Sequence, residues 1–335
     1  MSGQETRRST FISGTGSAVP QGELTNQDLE RMVETSDEWI TERTGIRTRH
    51  IADGRTATSD LCVEAARRAL EDAGAEPDAV DMLLIATVTP DQILPSTACI
   101  VQDRLGLKNA VAFDIVAACS GFIYGLSIAD QYIRSGMYDR VVVIGAETLS
   151  KIVDWEDRAT CVLFGDGAGA AVFEAGQPPR GVVATYMKSD GALRDFLYVP
   201  GGGSRFPASE ASLKDRLHCI KMSGNNVFKH AVRAMGDAAE RVLDSAGVSS
   251  QDLDFFIPHQ ANLRIIRATA QRIKVPMEKV YVNVDRFGNT SAASVPIALD
   301  ELNRAGKLKT PPPDPGVLDR LRAIQFGNAG DGEVR

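Results

Sequence analysis

Paired metal-ligand and disulfide spacings are missing from this chain. Its five cysteines (Cys62, Cys99, Cys119, Cys161, Cys219) are odd in number, widely separated and include no CxxC pair, which fits free thiols in a reducing cytosol better than a disulfide framework. The four histidines (His50, His218, His230, His259) form no HxH or HxxxH pair, so no metal site is expected. The N-terminal MSGQETRRST lacks an apolar core, and no run approaches the ~18 apolar residues of a membrane span. Basic residues are outnumbered 37 to 44, for a net charge of −7. Bulk charge therefore gives no case for nucleic acid, although a local basic patch can still receive an acidic partner. The early Gly14-Thr15-Gly16 has no third glycine in register for a dinucleotide loop. FGDGAGAAVF (164–173) has no lysine after its glycines, so close strand packing is the better account of Gly165, Gly167 and Gly169. A soluble cytoplasmic protein with no membrane or nucleic-acid partner is expected, long enough at 335 residues for two domain-sized units.

Alternating helix and strand patterns fill that length. Thr10–Ala18 reads as a strand with a glycine turn, Thr25 as the N-cap of a short helix, and Ser36–Arg47 as a charge-dense amphipathic helix around Trp39. Thr58–Gly74 is a strong helix with Ser59 or Asp60 near its cap and Gly74 as its stop. Val80–Thr87 and Arg140–Gly145 read as buried strands, and Ser96 starts a helix that runs to Leu105. Between them, VAFDIVAACSGFIYGLSIADQYIRSG (111–136) opens as an apolar run long enough for a buried strand and passes directly into a helix. Cys119 would then sit at a helix N-terminus, where free N–H groups and the dipole lower a thiol pKa and can hold an oxyanion. A buried cysteine is more often a small hydrophobe than a nucleophile, so the rest of the chain has to decide.

It does so by repeating itself. Gly74 and Gly247, and likewise Asp81 and Asp254, lie 173 residues apart, while Asp130…Arg134-Ser-Gly136 and Asp300…Arg304-Ala-Gly306 lie 170 apart. An internal duplication follows, with a junction near Pro178-Pro179-Arg180-Gly181 and halves of 1–178 and 179–335. The 170 offset sets Cys119 opposite Asn289 and predicts two helix N-termini facing one another. The 173 offset sets His259, after the apolar strand Phe255–Pro258, opposite Ala86. Strand C-terminal ends are where α/β folds gather their chemistry. A Cys, a His and an Asn from separate segments form a recognised nucleophilic constellation.

Five segments, SDEWITERTGIRTRHIA, DIVAACSGF, LFGDGAGA, IPHQAN and RFGNTSAAS, together resemble the β-ketoacyl-acyl-carrier-protein synthase III enzymes, from about Phe11 to Leu308. The resemblance implies an α/β, thiolase-like fold of two duplicated βα halves in a layered αβαβα core. It implies a decarboxylating condensation of an acyl-CoA primer, acetyl-CoA first among candidates, with malonyl-acyl-carrier protein, initiating fatty-acid synthesis. Under it Cys119 is the acylated nucleophile, and His259 and Asn289 serve decarboxylation. Trp39, Arg43 and Arg158 hold the nucleotide end of coenzyme A, and Asn225 and Asn262 lie near its pantetheine arm. Arg264 and Lys229 receive the carrier protein, and Leu94 reaches across a homodimer into the partner's acyl pocket. Coenzyme A enters as a substrate thioester, and no metal or redox cofactor is implied. Two other readings compete with it, a non-catalytic thiolase-fold partner and a secondary-metabolism acyltransferase or condensing enzyme. A purely structural subunit has no use for Cys119, His259 and Asn289 together. After Leu308 the chain departs from the family pattern: Pro311-Pro312-Pro313 cannot pair centrally in a sheet, and only Phe326-Gly327-Asn328-Ala329-Gly330 is left of the usual closing segment.

Overall fold

A computed structural model describes residues 8–178, 181–308 and 323–326. In chain order the strands of the two layered sheets are β1 (Ser9–Ala18), β2 (Met82–Ala86), β3 (Val111–Ile115), β4 (Arg140–Glu147), β5 (Gly167–Gly176), β6 (Phe255–Pro258) and β7 (Ala323–Phe326). The helices that matter for function are α1 (Asp37–Thr44), α2 (Thr58–Ala73), α3 (Thr97–Leu105), α4 (Gly121–Arg134), α5 (Gly224–Ala246), α6 (Leu263–Arg272) and α7 (Ser294–Arg304). Their ends follow local chemistry. Ser36 and Ser96 accept hydrogen bonds from Trp39 N and Cys99 N to cap α1 and α3. The N-cap of α2 is Ala57, one residue before the expected start, and the Asp60 carboxylate accepts its N–H at 2.8 Å. Gly74 and Gly247 close α2 and α5 in the left-handed conformation, at φ of 61° and 63°.

The first-half sheet runs β1-β5-β4-β2-β3, with β5 alone antiparallel to its neighbours β1 and β4 and the β4-β2-β3 pairings parallel. Its continuous apolar strands are buried on both faces. Val142 and Ile144 of β4 pack with Ala65 and Ala69 of α2, whereas Val141 and Val143 pack with Phe122 of α4 and Leu299 of α7. Beyond α4 and α7 lies the parallel pair β6-β7, covered in turn by α5 and α6. The layers are therefore helix, sheet, helix, sheet, helix, as the family resemblance implied. The Pro-rich run 311–313 and the junction residues Pro179 and Arg180 lie outside the described residues. Past that run, 323–326 does supply a strand beside β6.

Two expectations need correction. The run starting at Val111 forms β3, but β3 is the sheet's edge strand: Val111 and Val116 are exposed. An apolar run reads alike whether it faces its own core or a second surface. The duplication is also registered differently. Ala118 and Ser291, 173 residues apart, hold matching positive φ values of 45° and 47°, each opening a short 3-10 turn that leads into α4 or α7. Cys119 is thus the counterpart of Ala292, not of Asn289. The 170 offset at the helix ends arises because α4 has 14 residues and α7 has 11.

The glycines 145, 165, 167 and 169 admit the segment 287–297 onto the sheet. A methyl on Gly145 would collide with the Ala292 carbonyl oxygen, and one on Gly165 with that of Phe287. On Gly169 it would stand 2.6 Å from Ile297 N. Close strand packing, rather than phosphate binding, is what this glycine run does. Gly145→Ala is accordingly expected to destabilise the fold by about 1–3 kcal/mol, the usual cost of overpacking, measured as a lower midpoint in urea. Unchanged stability would mean that the segment does not sit this close.

Candidate active site

Cys119 lies in the 3-10 turn Ala118–Ser120 between β3 and α4. The matching turn Ser291–Ala293 leads into α7 and lies against it: a methyl on Gly121 would sit 3.3 Å from the Ala292 methyl and 2.6 Å from that of Ala86. The expected meeting of two helix starts is therefore present. The expected acidic thiol is not. Burial pushes the Cys119 thiol up to about 11, assisted by the nearby Glu147 charge and opposed by a hydrogen bond with the Ser291 hydroxyl. Loss of solvent outweighs the helix end, so the resting group is a neutral thiol.

His259 follows β6, buried, with Nδ1 2.6 Å from Ser294 Oγ at the first residue of α7. Ser294 Oγ also accepts the Gln260 N–H at 3.3 Å. Burial alone lowers the imidazole pKa to about 4, so the ring is neutral at physiological pH. A Ser294 hydroxyl that donates to Nδ1 leaves the ring proton on Nε2. Asn289 is fixed through its backbone: its N–H donates to the Leu163 carbonyl at 2.8 Å, and its carbonyl accepts from Gly165 N at 3.1 Å. Its Oδ1 accepts Ser291 N–H at 2.9 Å, which orients the amide and leaves Nδ2 as the free donor. A single stretch, 289–294, thus holds Asn289, contacts the Cys119 thiol through Ser291, and sets the His259 ring through Ser294.

The other expected residues fall into two surface groups. Trp39 on α1 is flanked by Arg43 and Arg158, whose guanidinium carbons lie 5.5 Å and 4.9 Å from the ring centroid. Asn262, the N-cap of α6, donates from Nδ2 to the Arg43 carbonyl at 3.1 Å and so joins this group. On the adjoining helices, Arg264 of α6 stacks 5.1 Å from the ring of Phe228, the α5 residue next to Lys229. Asn225 is exposed in the first turn of α5. Leu94 is 79% exposed beside Ile93 at 86%, and Val116 at 78% and Val111 are exposed along the open sheet edge. Among the described residues no helix is long and apolar enough to cross a membrane, and no cluster of His, Cys, Asp and Glu could hold a metal ion.

Three participants escaped the sequence reading. Ser291 and Ser294 stood inside the quoted GNTSAAS run, but only the fold shows which side chains they reach. Glu147, at the end of β4, is buried beneath Thr87 and Thr89, and nothing in Ala146-Glu147-Thr148 marks it out.

The chain also matches known proteins. Residues 113–191 match the family model described as 3-oxoacyl-[acyl-carrier-protein (ACP)] synthase III, and residues 243–312 match the model of its C-terminal part. The chain is 58% identical over 298 residues to the beta-ketoacyl-[acyl-carrier-protein] synthase III of Caldanaerobacter subterraneus subsp. tengcongensis, covering 89% of this chain and 90% of that one. It superposes on the crystal structure of the 3-oxoacyl-[acyl-carrier-protein] synthase III of Aquifex aeolicus with a TM-score of 0.83 and 48% identity, over 90% of this chain and 92% of that one. For the synthase III of Thermus thermophilus the TM-score is 0.85 at 40% identity, over 95% of both chains.

Burial of a neutral His259 has a consequence for stability. Between its folded pKa of about 4 and the unfolded value of about 6.5, the unfolded chain binds the extra proton. The imidazole's contribution is then complete above the unfolded value and is lost as the pH falls. Replacing it with a non-titrating amide, His259→Gln, should remove about 2 kcal/mol of the stability difference between pH 7 and pH 5, read from urea unfolding at both pH values. Equal pH sensitivity in the two proteins would place the imidazole in contact with solvent.

Proposed function

The chain belongs to the β-ketoacyl-[acyl-carrier-protein] synthase III family, and from that premise we propose that it condenses an acyl-CoA primer with malonyl-acyl-carrier protein at Cys119, His259 and Asn289. It is a condensing acyltransferase on the thiolase fold, of the kind that initiates fatty-acid synthesis. What supports the residue assignment is the stretch 289–294, which ties an amide, an imidazole and the thiol to one another.

In the first half-reaction the Cys119 sulfur attacks the thioester carbonyl. Backbone N–H groups at the start of α4 stabilise the tetrahedral oxyanion, and coenzyme A departs as a thiolate that takes up a proton. Sulfur suits this exchange because nucleophile and leaving group are alike. In the second, malonyl thioester loses carbon dioxide, and its carbonyl oxygen becomes an enolate oxygen. Nε2–H of a neutral His259 and Nδ2–H of Asn289 donate to that oxygen. A neutral imidazole stabilises the enolate without handing it a full proton, so the carbanion survives to attack the acyl group on Cys119. The products are 3-oxoacyl-carrier protein, carbon dioxide and coenzyme A, and this sequence of steps calls for no metal or redox cofactor.

Trp39, Arg43 and Arg158 form a cation–aromatic–cation surface suited to an adenine ring and its phosphates. Asn262 and Asn225 stand nearer the arm. Arg264 and Lys229 offer positive charge to an acidic carrier protein despite the net negative chain. The apolar residues at the β3 edge, with Leu94 and Ile93, are covered by a second copy of the chain, and Leu94 then borders the partner's acyl pocket. The halves 1–178 and 179–335 act as one unit around the shared site, and the free thiols support a reducing, cytoplasmic setting.

Radiolabelled acetyl-CoA should transfer its acetyl group to the protein and none to Cys119→Ala. Label retained by the alanine variant removes Cys119 from this role. His259→Ala and Asn289→Ala should each slow malonyl decarboxylation on the order of a hundredfold, the usual loss of about 2.7–4 kcal/mol for one such donor, while acetyl transfer is largely kept. Equal losses in both half-reactions would contradict the assignment of these two donors. A ladder of straight and branched acyl-CoA primers against malonyl-carrier protein then fixes primer choice.

A further inference from the structure

Glu147 takes no part in the steps above, yet it is a fully buried carboxyl with no cation among its contacts. It ends β4, and its Oε2 collects every conventional hydrogen bond it has: from Thr89 Oγ1 at 2.8 Å, Val88 N at 3.1 Å and Thr87 Oγ1 at 3.3 Å. Its Oε1 is buried without a hydrogen-bond partner of ordinary geometry. The polar group acting on the carboxyl from the remaining side is the Ser291 hydroxyl, and that same hydroxyl acts on the Cys119 thiol. Ser291 cannot easily turn away, because its backbone is held at φ 47° and its N–H is bound by Asn289 Oδ1. A buried carboxyl with one oxygen fully supplied and the other bare is poised to accept or to give one more hydrogen bond.

We propose that Glu147 is a positioning residue that acts on the nucleophile through the Ser291 hydroxyl and sets how readily Cys119 gives up its proton. When the carboxyl is ionised, Ser291 donates its hydrogen to Oε1, and the sulfur faces a lone pair and a like charge. When the carboxyl is protonated, Oε1–H donates to Ser291 Oγ, and the serine hydrogen turns to the sulfur and stabilises the thiolate. Only a proton exchanged with solvent separates the two states. Burial raises the Glu147 pKa to about 7, so both are reached near neutral pH.

Other ionisable groups around this carboxyl are few. Cys119 faces it from the turn before α4, and Cys62 of α2 feels its charge together with those of Asp91, Asp114 and Arg104. Burial and these carboxylates push the Cys62 thiol well above the usual range, so it stays neutral. His259 joins the same stretch through Ser294 and is neutral above about pH 4.

The inference deepens the reading of Cys119 as nucleophile and rests on it, but its test does not require turnover. The probe is 4,4′-dithiodipyridine, with modification of Cys119 followed by peptide mass to separate it from the other four cysteines. In Glu147→Gln the like charge is gone and the amide donates to Ser291 permanently. At pH 8.5 the thiol pKa should fall by about one unit. The tenfold gain in thiolate, offset by its lower nucleophilicity, gives about threefold faster modification. At pH 5.5, where Glu147 is already protonated, the variant and the parent should react alike. A rate ratio that is the same at both pH values, or below one at pH 8.5, overturns the proposal.

Ser291→Ala gives the complementary pattern in a protein expected to fold, since Ala118 already holds alanine at the same backbone angle in the duplicate. It should react about threefold more slowly at pH 5.5 and at the parental rate at pH 8.5, where the hydroxyl faces the carboxylate. Slowing at pH 8.5 alone, or at neither pH, counts against the relay. Acetyl transfer from acetyl-CoA, measured on the same preparations, separates the two ideas. Label on Cys119 with flat rate ratios refutes the Glu147 role, whereas the expected ratios without label support it and refute only the nucleophile assignment.

Discussion

The site depends on one close backbone contact, the seating of residues 287–297 on a strip of sheet that has no side chains. Gly145, Gly165 and Gly169 leave room for carbonyl and amide groups where any methyl would collide with Ala292, Phe287 or Ile297. Once seated, the segment is pinned at both ends. Asn289 exchanges backbone hydrogen bonds with Leu163 and Gly165. Asp300 of α7 accepts from Thr15 and Ser17 of β1 at 2.8 and 2.6 Å and pairs with Arg304 one turn on. The second half therefore meets the Cys119 turn of the first through main-chain geometry, which is stiffer than side-chain contact across an ordinary interface.

Burial then governs the electrostatics, and it acts in one direction. It raises the Cys119 thiol and the Glu147 carboxyl and lowers the His259 imidazole, so each is driven toward its neutral form. A thiolate–imidazolium pair is thus not the resting state of this pocket. The arginines expected to meet the ligands lie apart from these three groups, Arg43 and Arg158 beside Trp39 and Arg264 beside Phe228. Substrate would bring a further charge beside Cys119 and His259, on a carbonyl that becomes an oxyanion or an enolate. Fixed dipoles in a water-free site stabilise such charge far more than they would in water.

Helix caps, apolar strands and the glycine run could be read from the chain, and Cys119, His259 and Asn289 could be named as candidates, because each rests on local spacing or residue chemistry. Three features could not. Val111–Ile115 reads as core although it is an edge strand, since hydrophobicity does not tell an intramolecular face from one offered to a second chain. The pairing of Cys119 with Asn289 came from helix ends, and α7 is three residues shorter than α4, so the offset that fits the ends misplaces the starts. The thiol's acidity was judged from its place at a helix start, which says nothing of how much water the surrounding layers remove. Each miss concerns packing between segments far apart in sequence.

Registered by its backbone, the duplication explains how one template came to serve two chemistries. Both halves open their central helix with the same strained turn, Ala118 in one and Ser291 in the other. The next residue is a thiol in the first half, Cys119, and a methyl in the second, Ala292. That methyl lies against the glycine that starts α4. A side chain larger than alanine at 292 would push the two turns apart, and a residue larger than alanine at 118 gains nothing from a position that is exposed. Ser291, by contrast, is buried between the thiol and Glu147. The same backbone angle thus aims a side chain outward in one half and into the shared pocket in the other. The asymmetry that makes the site catalytic lies in which copy of the turn faces the interior, and the glycine-lined seat decides that.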